Sequence, residues 1–309
     1  MTTRQRYNSY VGYFKKVYGQ RLQKVVIDGG FTCPNRDGSI STGGCTYCDN
    51  SAFHPGYSTP NIPILTQIDE GIKFHKVRYR NAERFLAYFQ PYSNTYAPLE
   101  RLKVLYEEAL SHPQVAGIVI GTRPDCVDEQ KLDYLAQLAE NHIVIVEYGI
   151  ESCYDKTLER INRGHTFEQA RKALEMTAEM GIRQGAHFIF GLPGESVQDM
   201  IDSASIINTL PLHSVKFHQL QIVRGTAMEE EFVQKRDDFV TFALDEYIDF
   251  FVSFLERLRP DIYIERFAGE VPPRFLNTIP WGMIRNVELV RMLEKRLEEL
   301  DTWQGRLLE

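Results

Sequence analysis

Short apolar runs alternate with longer segments of helical periodicity through the middle of the chain. The apolar runs are rich in Val, Ile, Phe and Tyr, and several are apolar at every position, which is typical of strands buried on both faces of a parallel sheet. The predicted strands span residues 24–28, 84–89, 117–121, 143–150, 185–190 and 214–219, with 262–266 as a candidate seventh. The pattern therefore predicts a sheet of six or seven strands.

The intervening segments carry leucines or other apolar residues at helical spacing. The predicted helices span residues 98–111, 128–141, 166–180, 196–210, 238–257 and 289–300. One of them has clear ends, because Thr166 and Gln169 form a capping-box pattern and Gly181 follows its last turn. Strand–helix–strand alternation predicts right-handed βαβ units in an α/β fold, either a doubly wound sheet or a barrel, with the chemistry beyond the carboxyl ends of the strands.

Composition places the chain among ordinary globular proteins. Its 309 residues suit one barrel or two domains, and 43% of them are hydrophobic. No apolar run reaches the length of a membrane span, and the first sixteen residues lack the apolar core of a secretory signal. We therefore expect a cytoplasmic protein without membrane contact.

The net charge of −7 counts against a surface that binds nucleic acid over its whole area. Local binding needs only a basic cluster, and the sequence has two candidates. The first contains Lys15, Lys16, Arg21 and Lys24, and the second contains Lys73, Lys76, Arg78, Arg80 and Arg84. The alternative is that both clusters are solvated helix faces, since a block of like charges is a weak signal.

Three of the five cysteines, Cys33, Cys45 and Cys48, fall within sixteen residues, in a Gly-rich loop directly after the first predicted strand. An odd cysteine count in a cytoplasmic chain argues against a disulfide framework. Soft thiolate ligands favour zinc or an iron–sulfur cluster. A structural zinc needs a fourth ligand, which His54 could supply, whereas three thiolates leave one iron of a 4Fe-4S cluster open.

Four further motifs follow the strands or open the helices in order: GTRPD at 121–125, EYGIES at 147–152, NRGHT at 162–166 and GLPGE at 191–195. Together with the Cys-x11-Cys-x2-Cys spacing they resemble the YhcC/YtqA branch of the radical SAM superfamily, which is related to the Elongator catalytic subunit. The resemblance implies a partial (β/α)6 TIM-like barrel over residues 1–230, with a short helical lead-in at 1–22. It leaves 231–309 as a mostly helical extension over the barrel.

The resemblance also implies two cofactors, a 4Fe-4S cluster on Cys33, Cys45 and Cys48, and S-adenosylmethionine (SAM) on the open iron. The resemblance does not indicate which residues are catalytic. The positions that match SAM contacts of the family are Tyr47, Gln90, Ser93, Thr122, Glu151, Ser152, Arg163, His187, Gly191, Ile222 and Val223. The sequence departs from the family at Gly121, where Elongator relatives carry Glu, and at 90–93, which replaces a segment with an acidic contact.

The family pattern assigns individual roles to several of these residues. Arg163 corresponds to an arginine on the SAM carboxylate, for which a guanidinium fork is well suited. Glu151 corresponds to a contact with the ribose, the alternative being an ion pair with Arg163. His187 corresponds to a position near the ribose, the alternative being a core histidine. Ile222 and Val223 correspond to contacts with the adenine.

Three functions remain open from the sequence. The first is a radical SAM enzyme, of transferase or lyase type, that modifies the wobble uridine of tRNA, with tRNA as a candidate partner and a reductant such as flavodoxin or ferredoxin. The second is the same chemistry on a small metabolite, which the acidic pI of 5.7 favours. The third is a zinc-stabilised binding module without catalysis.

Overall fold

A computed structural model describes residues 5–50, 55–78, 82–278, 281–282 and 284–308. Seven parallel strands form one sheet in sequential order. They are β1 (Gln23–Ile27), β2 (Phe85–Phe89), β3 (Val115–Thr122), β4 (Ile143–Glu151), β5 (Arg183–Phe190), β6 (Ser214–Gln219) and β7 (Tyr263–Arg266). The α/β prediction is confirmed, and the sheet has seven strands because β7 pairs with β6.

Helices connect the strands and cover one face of the sheet. They are α1 (Tyr10–Tyr18), α2 (Ile64–Arg78), α3 (Leu99–Leu110), α4 (Glu129–Ala139), α5 (Asp155–Arg160), α6 (Phe167–Glu179), α7 (Val197–Asn208), α8 (Ala227–Gln234), α9 (Leu244–Leu255) and α10 (Asn286–Glu299). The predicted capping box at the start of α6 is present, since Thr166 and Gln169 bond each other's backbone amides. No helix among the described residues is long and apolar enough to cross a membrane.

The sheet is curved into a partial barrel with an outer and an inner face. Alternate residues such as Ile118 and Ile120 join the main hydrophobic core with the surrounding helices. The other residues point into a lumen. Lys24 on β1 contacts Glu265 on β7, so side chains of the two edge strands meet across this lumen. Residues at the carboxyl ends of the strands therefore share one rim.

Helix α1 closes the amino-terminal end of the barrel. Tyr10, Tyr13 and Phe14 pack in a second cluster with inner-face residues such as Val119 and Ile145. The segment around α1 is also held by the end of the chain, because Asn8 N donates to the Gln304 side chain at 2.9 Å. The lumen is therefore sealed at the bottom and open at the rim.

His213 lies in this plug against Tyr13, with ring centroids 4.6 Å apart, and neither ring nitrogen has a hydrogen-bond partner among the described residues. Burial, aided by Arg183, lowers the pKa of His213 to about 4. The unfolded chain therefore binds a proton that the folded chain rejects as the pH falls through 6.5 towards 4, and stability drops in that window.

We expect His213→Phe to remove this loss. The change in free energy of unfolding between pH 7 and pH 5 should shrink by about 2 kcal/mol, as follows from the pKa difference. Denaturant titrations at the two pH values measure it. The matched control is the exposed Asn141→Asp, which should leave the difference as in the parent protein. A His213→Phe protein as acid-sensitive as the parent would contradict the prediction.

The carboxyl-terminal part of the chain completes the sheet and its cover. Phe250, Phe251 and Phe254 of α9 are buried in the main core. The predicted helix at 238–257 was wrong at its start, since α9 begins at Leu244. A short 3-10 helix (Arg236–Asp238) precedes it instead, and Phe239 packs against Phe232 at 5.1 Å between ring centroids. The division of the chain at residue 230 stays a prediction, although β7 beyond it belongs to the same sheet.

Candidate active site

A cavity of about 480 Å³ opens at the carboxyl ends of the strands. It is lined by Cys33, Cys45 and Cys48 from the loop after β1, and by polar residues from the ends of the other strands. Ten of the fourteen predicted site residues line it: Cys33, Cys45, Cys48, Tyr47, Gln90, Ser93, Thr122, Glu151, Arg163 and His187. The structure therefore brings most of the predicted residues together.

Main-chain bonds fold the cysteine loop back on itself. The carbonyl of Cys33 accepts from the amides of Arg36 and Asp37, and the amide of Cys48 donates to Cys45 at 3.0 Å. Asn35 is fully buried and joins this loop to the turn before α6, since its Nδ2 donates to the carbonyls of Asn162 and Arg163. Nothing in the sequence pattern singled out Asn35.

The thiols lie among hydrogen-bond donors and positive charge. Asn35 Nδ2 approaches Cys45 Sγ at 3.6 Å, and Arg163 Nη1 donates to the same sulfur at 3.5 Å. Asn50 Nδ2 lies 3.8 Å from Cys48 Sγ. These donors would hydrogen-bond the sulfurs of thiolates that ligate a metal.

Burial raises the pKa of the Cys48 thiol, and Cys45 adds to the rise, while Arg36 opposes both. A cation that replaces the proton would relieve that cost. Among the described residues, no three His, Cys, Asp or Glu side chains are arranged so that they could hold a metal ion. The fit to a cluster therefore rests on the donor chemistry around the thiols. His54, the candidate fourth ligand for zinc, lies outside the described residues.

Glu151 enters the cavity from a distorted end of β4. Its φ of 77° is in the left-handed region, and the register with β5 shifts between Gly149 and Glu151. Such strain in a non-glycine residue is typical of functional sites. Burial raises the pKa of Glu151, while Arg163, a hydrogen bond from Tyr47 and Arg123 oppose the rise.

Arg163 connects the cysteine loop to this strand end. One guanidinium nitrogen lies 3.7 Å from Glu151 Oε1, and the same nitrogen donates to the carbonyl of Gly149. The contact with Glu151 is the ion pair that the sequence left open as an alternative. It does not exclude a cofactor role, because both side chains line the cavity and Arg163 Nε is buried with no partner among the residues described.

The remaining predicted residues of the cavity differ in their burial and in their hydrogen bonds. Thr122 Oγ1 lies 2.6 Å from Thr95 Oγ1 and is buried. Ser93 is also buried, while Gln90 is half-buried at the end of β2. His187 Nε2 contacts Glu147 at 3.0 Å, as a core histidine would, yet its ring lines the cavity. Both interpretations of His187 are therefore compatible with its position.

Four predicted residues do not line the cavity: Ser152, Gly191, Ile222 and Val223. Ser152 donates to Glu195 and ties the end of β4 to the GLPGE turn. Gly191 has a φ of 90°, and a Cβ there would lie 2.9 Å from the Val240 carbonyl. The aliphatic pair is buried in two small apolar clusters, and the one around Ile222 includes Tyr47. The cofactor roles of these four stay predictions.

The sequence analysis missed a charged network in the lumen below the cysteines. Glu147 on β4 is 2% exposed and pairs with Lys24 on β1 and Lys216 on β6, and Glu265 on β7 pairs with the same two lysines. Glu147 and Lys216 each stand between apolar or aromatic residues of a strand, and that was the available signal. The network contains two cations and two anions and joins four strands across the lumen.

The ionisation of this network follows from its geometry. Burial would raise the pKa of Glu147, but Lys216, Lys24 and His187 outweigh it and hold that pKa well below its usual range. Burial, with Lys216, lowers the pKa of His187 to about 4, so the ring is neutral at pH 7 and donates Nε2–H to Glu147. This network, which lines part of the cavity, is therefore internally neutralised.

Comparison with known proteins decides the family. The model described as the radical SAM superfamily matches residues 36–207, and the model described as the Radical_SAM C-terminal domain matches 212–299. The chain belongs to the radical SAM superfamily. This radical SAM protein is therefore an enzyme of that fold, and membership favours catalysis over a binding module stabilised by zinc. The first match begins after Cys33, so the place of Cys33 rests on the cavity that it shares with the other thiols.

Its relatives support the predicted branch. YtqA of Bacillus subtilis is 31% identical over 99% of this chain and 94% of its own length. A tRNA uridine(34) acetyltransferase of Methanocaldococcus infernus is 27% identical over 53% of this chain and 30% of its own. The structure of Elp3 from the same archaeon matches with a TM-score of 0.67 and 16% identity, over 92% of this chain and 64% of that one. The last similarity establishes the partial barrel fold.

Proposed function

We propose that the protein binds a 4Fe-4S cluster on Cys33, Cys45 and Cys48 and SAM beside it, and that it acts on the wobble uridine of tRNA. The observation that carries the cofactor assignment is the single cavity that the three thiols share with Glu151 and Arg163. When bound, the cluster would supply the electron that cleaves SAM to a 5′-deoxyadenosyl radical, which abstracts a hydrogen atom from the substrate.

The chain's own residues would bind, orient and shield. Asn35 and Arg163 donate toward Cys45 and would stabilise its negative charge. Arg163 and Glu151 offer a cation and an anion to the carboxylate and the hydroxyl or amino groups of SAM. The plug of α1 and the neutral network in the lumen keep bulk water from the bottom of the cavity. An external reductant such as flavodoxin or ferredoxin would deliver the electron.

The tRNA part of the proposal is supported by the similarity to a tRNA uridine(34) acetyltransferase. The basic cluster that begins at Lys73 also supports the tRNA proposal. Lys73 and Lys76 are exposed on α2, and His75 of the same turn lines the cavity. Phosphates bound on this helix would hold a nucleic acid beside the cavity. Arg80 of the same cluster lies outside the described residues.

We expect a strain without this gene to lack one modified wobble nucleoside of tRNA and to accumulate its precursor. Mass spectrometry of nucleosides from total tRNA measures both, and complementation with the parent gene should restore the profile. A gene encoding Cys45→Ala is the matched control, and it should not complement. An unchanged nucleoside profile in the deletion strain would contradict a role on tRNA and favour a small metabolite as substrate.

A further inference from the structure

One cation of the cavity pairs with none of the carboxylates that the structure describes. The other five lysine and arginine side chains that line it contact a carboxylate or a residue of the cysteine triad: Lys24, Arg36, Arg123, Arg163 and Lys216. Arg266, the last residue of β7, has no carboxylate within ion-pair distance among the described residues. Its Nε atom is buried and has no hydrogen-bond partner in the part of the chain that the structure describes.

The neighbours of Arg266 do not compensate its charge. Its Nη2 donates to His218 Nε2 at 3.2 Å. Burial, together with Arg266, lowers the pKa of His218 well below its usual range, so this ring is neutral. The adjacent Glu265 is engaged by Lys24 and Lys216. A half-buried guanidinium without an anion is costly, and that cost is removed when an oxyanion binds.

Arg266 also lies where the cavity continues. A second cavity of about 300 Å³ shares Gly269 and Glu270 with the first and is lined beyond them by Trp281 and the 271–273 segment. Glu270 is exposed, and its carboxylate accepts from the amide of Asn286. A substrate that reaches the thiols through the second cavity passes the end of β7.

We propose that Arg266, positioned by His218, binds a carboxylate or phosphate group of the substrate. This inference rests on the proposed function, since it takes the cavity to be the place of SAM chemistry. The guanidinium offers Nε and a terminal nitrogen as two parallel donors, the arrangement that matches both oxyanions. Neutral His218 holds the fork at the rim without competing for the anion.

The test is calorimetric titration of the anaerobically reconstituted, SAM-loaded protein with sodium acetate and with sodium phosphate, at constant ionic strength. Acetate and phosphate distinguish the two sources of the oxyanion. Arg266→Gln should weaken binding of the preferred anion at least about tenfold, as expected for a lost charge-assisted pair, and Arg266→Lys should weaken it less. Arg291→Gln, on the exposed face of α10, should bind as the parent does.

Two readouts in the same samples separate this inference from the proposed function. If the parent protein formed no 5′-deoxyadenosine with dithionite, the proposed function would be refuted, whatever the anion titration gives. Equal anion affinity in the parent and in Arg266→Gln, or no binding of either anion to the parent, would overturn the subsite. Weaker SAM binding by Arg266→Gln, with Arg266→Lys restoring it, would assign the arginine to SAM and also overturn the subsite.

Discussion

Cys45→Ala should reduce iron, acid-labile sulfide and 5′-deoxyadenosine formation to background. Cys45 is the most enclosed thiol of the triad, 6% exposed, and both Asn35 and Arg163 donate toward its sulfur. Two thiolates cannot hold a cluster that three hold with one iron open, and without the cluster no electron reaches SAM. Iron and sulfide analysis after anaerobic reconstitution and chromatography of the nucleoside product measure the loss.

The chain supplies its own controls for this experiment. Cys126 and Cys153 are buried cysteines that do not line the cavity, and burial raises the pKa of Cys126 to about 12. Their alanine variants should retain iron, sulfide and SAM cleavage. A Cys45→Ala protein that binds iron and sulfide as the parent does would refute the cluster assignment, as would zinc uptake by the parent protein without iron or sulfide.

Glu147→Gln should destabilise the fold by about 3–5 kcal/mol, the usual cost of removing one partner from a buried ion pair. The substitution keeps the shape of the side chain but leaves Lys24 and Lys216 with only Glu265 between them. The measurement is guanidinium unfolding of the reconstituted protein at pH 7. Because the carboxylate's pKa is lowered in the folded state, this stabilisation is present above the unfolded pKa and is lost as the pH falls through the folded pKa.

A double variant tests the electrostatic cause. Adding Lys216→Met to Glu147→Gln removes one uncompensated cation and should recover part of the lost stability. The matched control is Glu168→Gln, which breaks an exposed pair with Arg171 on α6 and should leave the unfolding midpoint unchanged. A Glu147→Gln protein as stable as the parent would contradict the inference that Glu147 compensates the charges of Lys24 and Lys216.

The sequence could predict what local pattern determines. The strands were identifiable because their outer faces and several inner positions are apolar, and six strand predictions and the candidate seventh correspond to β1 to β7. The cysteine loop could be placed at the rim because the carboxyl ends of parallel strands lie together. Short helices such as α5, with six residues, escaped prediction because they hold too few turns to show a period.

The inner surface of the barrel could not be predicted from such patterns. Lys24 and Glu265 lie 241 positions apart, and only closure of the sheet brings them together. The same holds for Asn35, whose contacts at Asn162 and Arg163 lie about 127 positions along the chain. Ile222 and Val223 were assigned from family positions alone; both are buried in apolar clusters outside the cavity lining, and their contact with the adenine stays a prediction.

The contact between Asn8 and Gln304 has a consequence for the order in which the protein folds during synthesis. Helix α1 is made well before its neighbours β7 and Gln304, and Asn8 meets Gln304 across 296 positions. Contacts of such long range form late, because the whole loop must be ordered first. We therefore expect the α1 plug to dock at the bottom of the barrel only after β7 and Gln304 have been made.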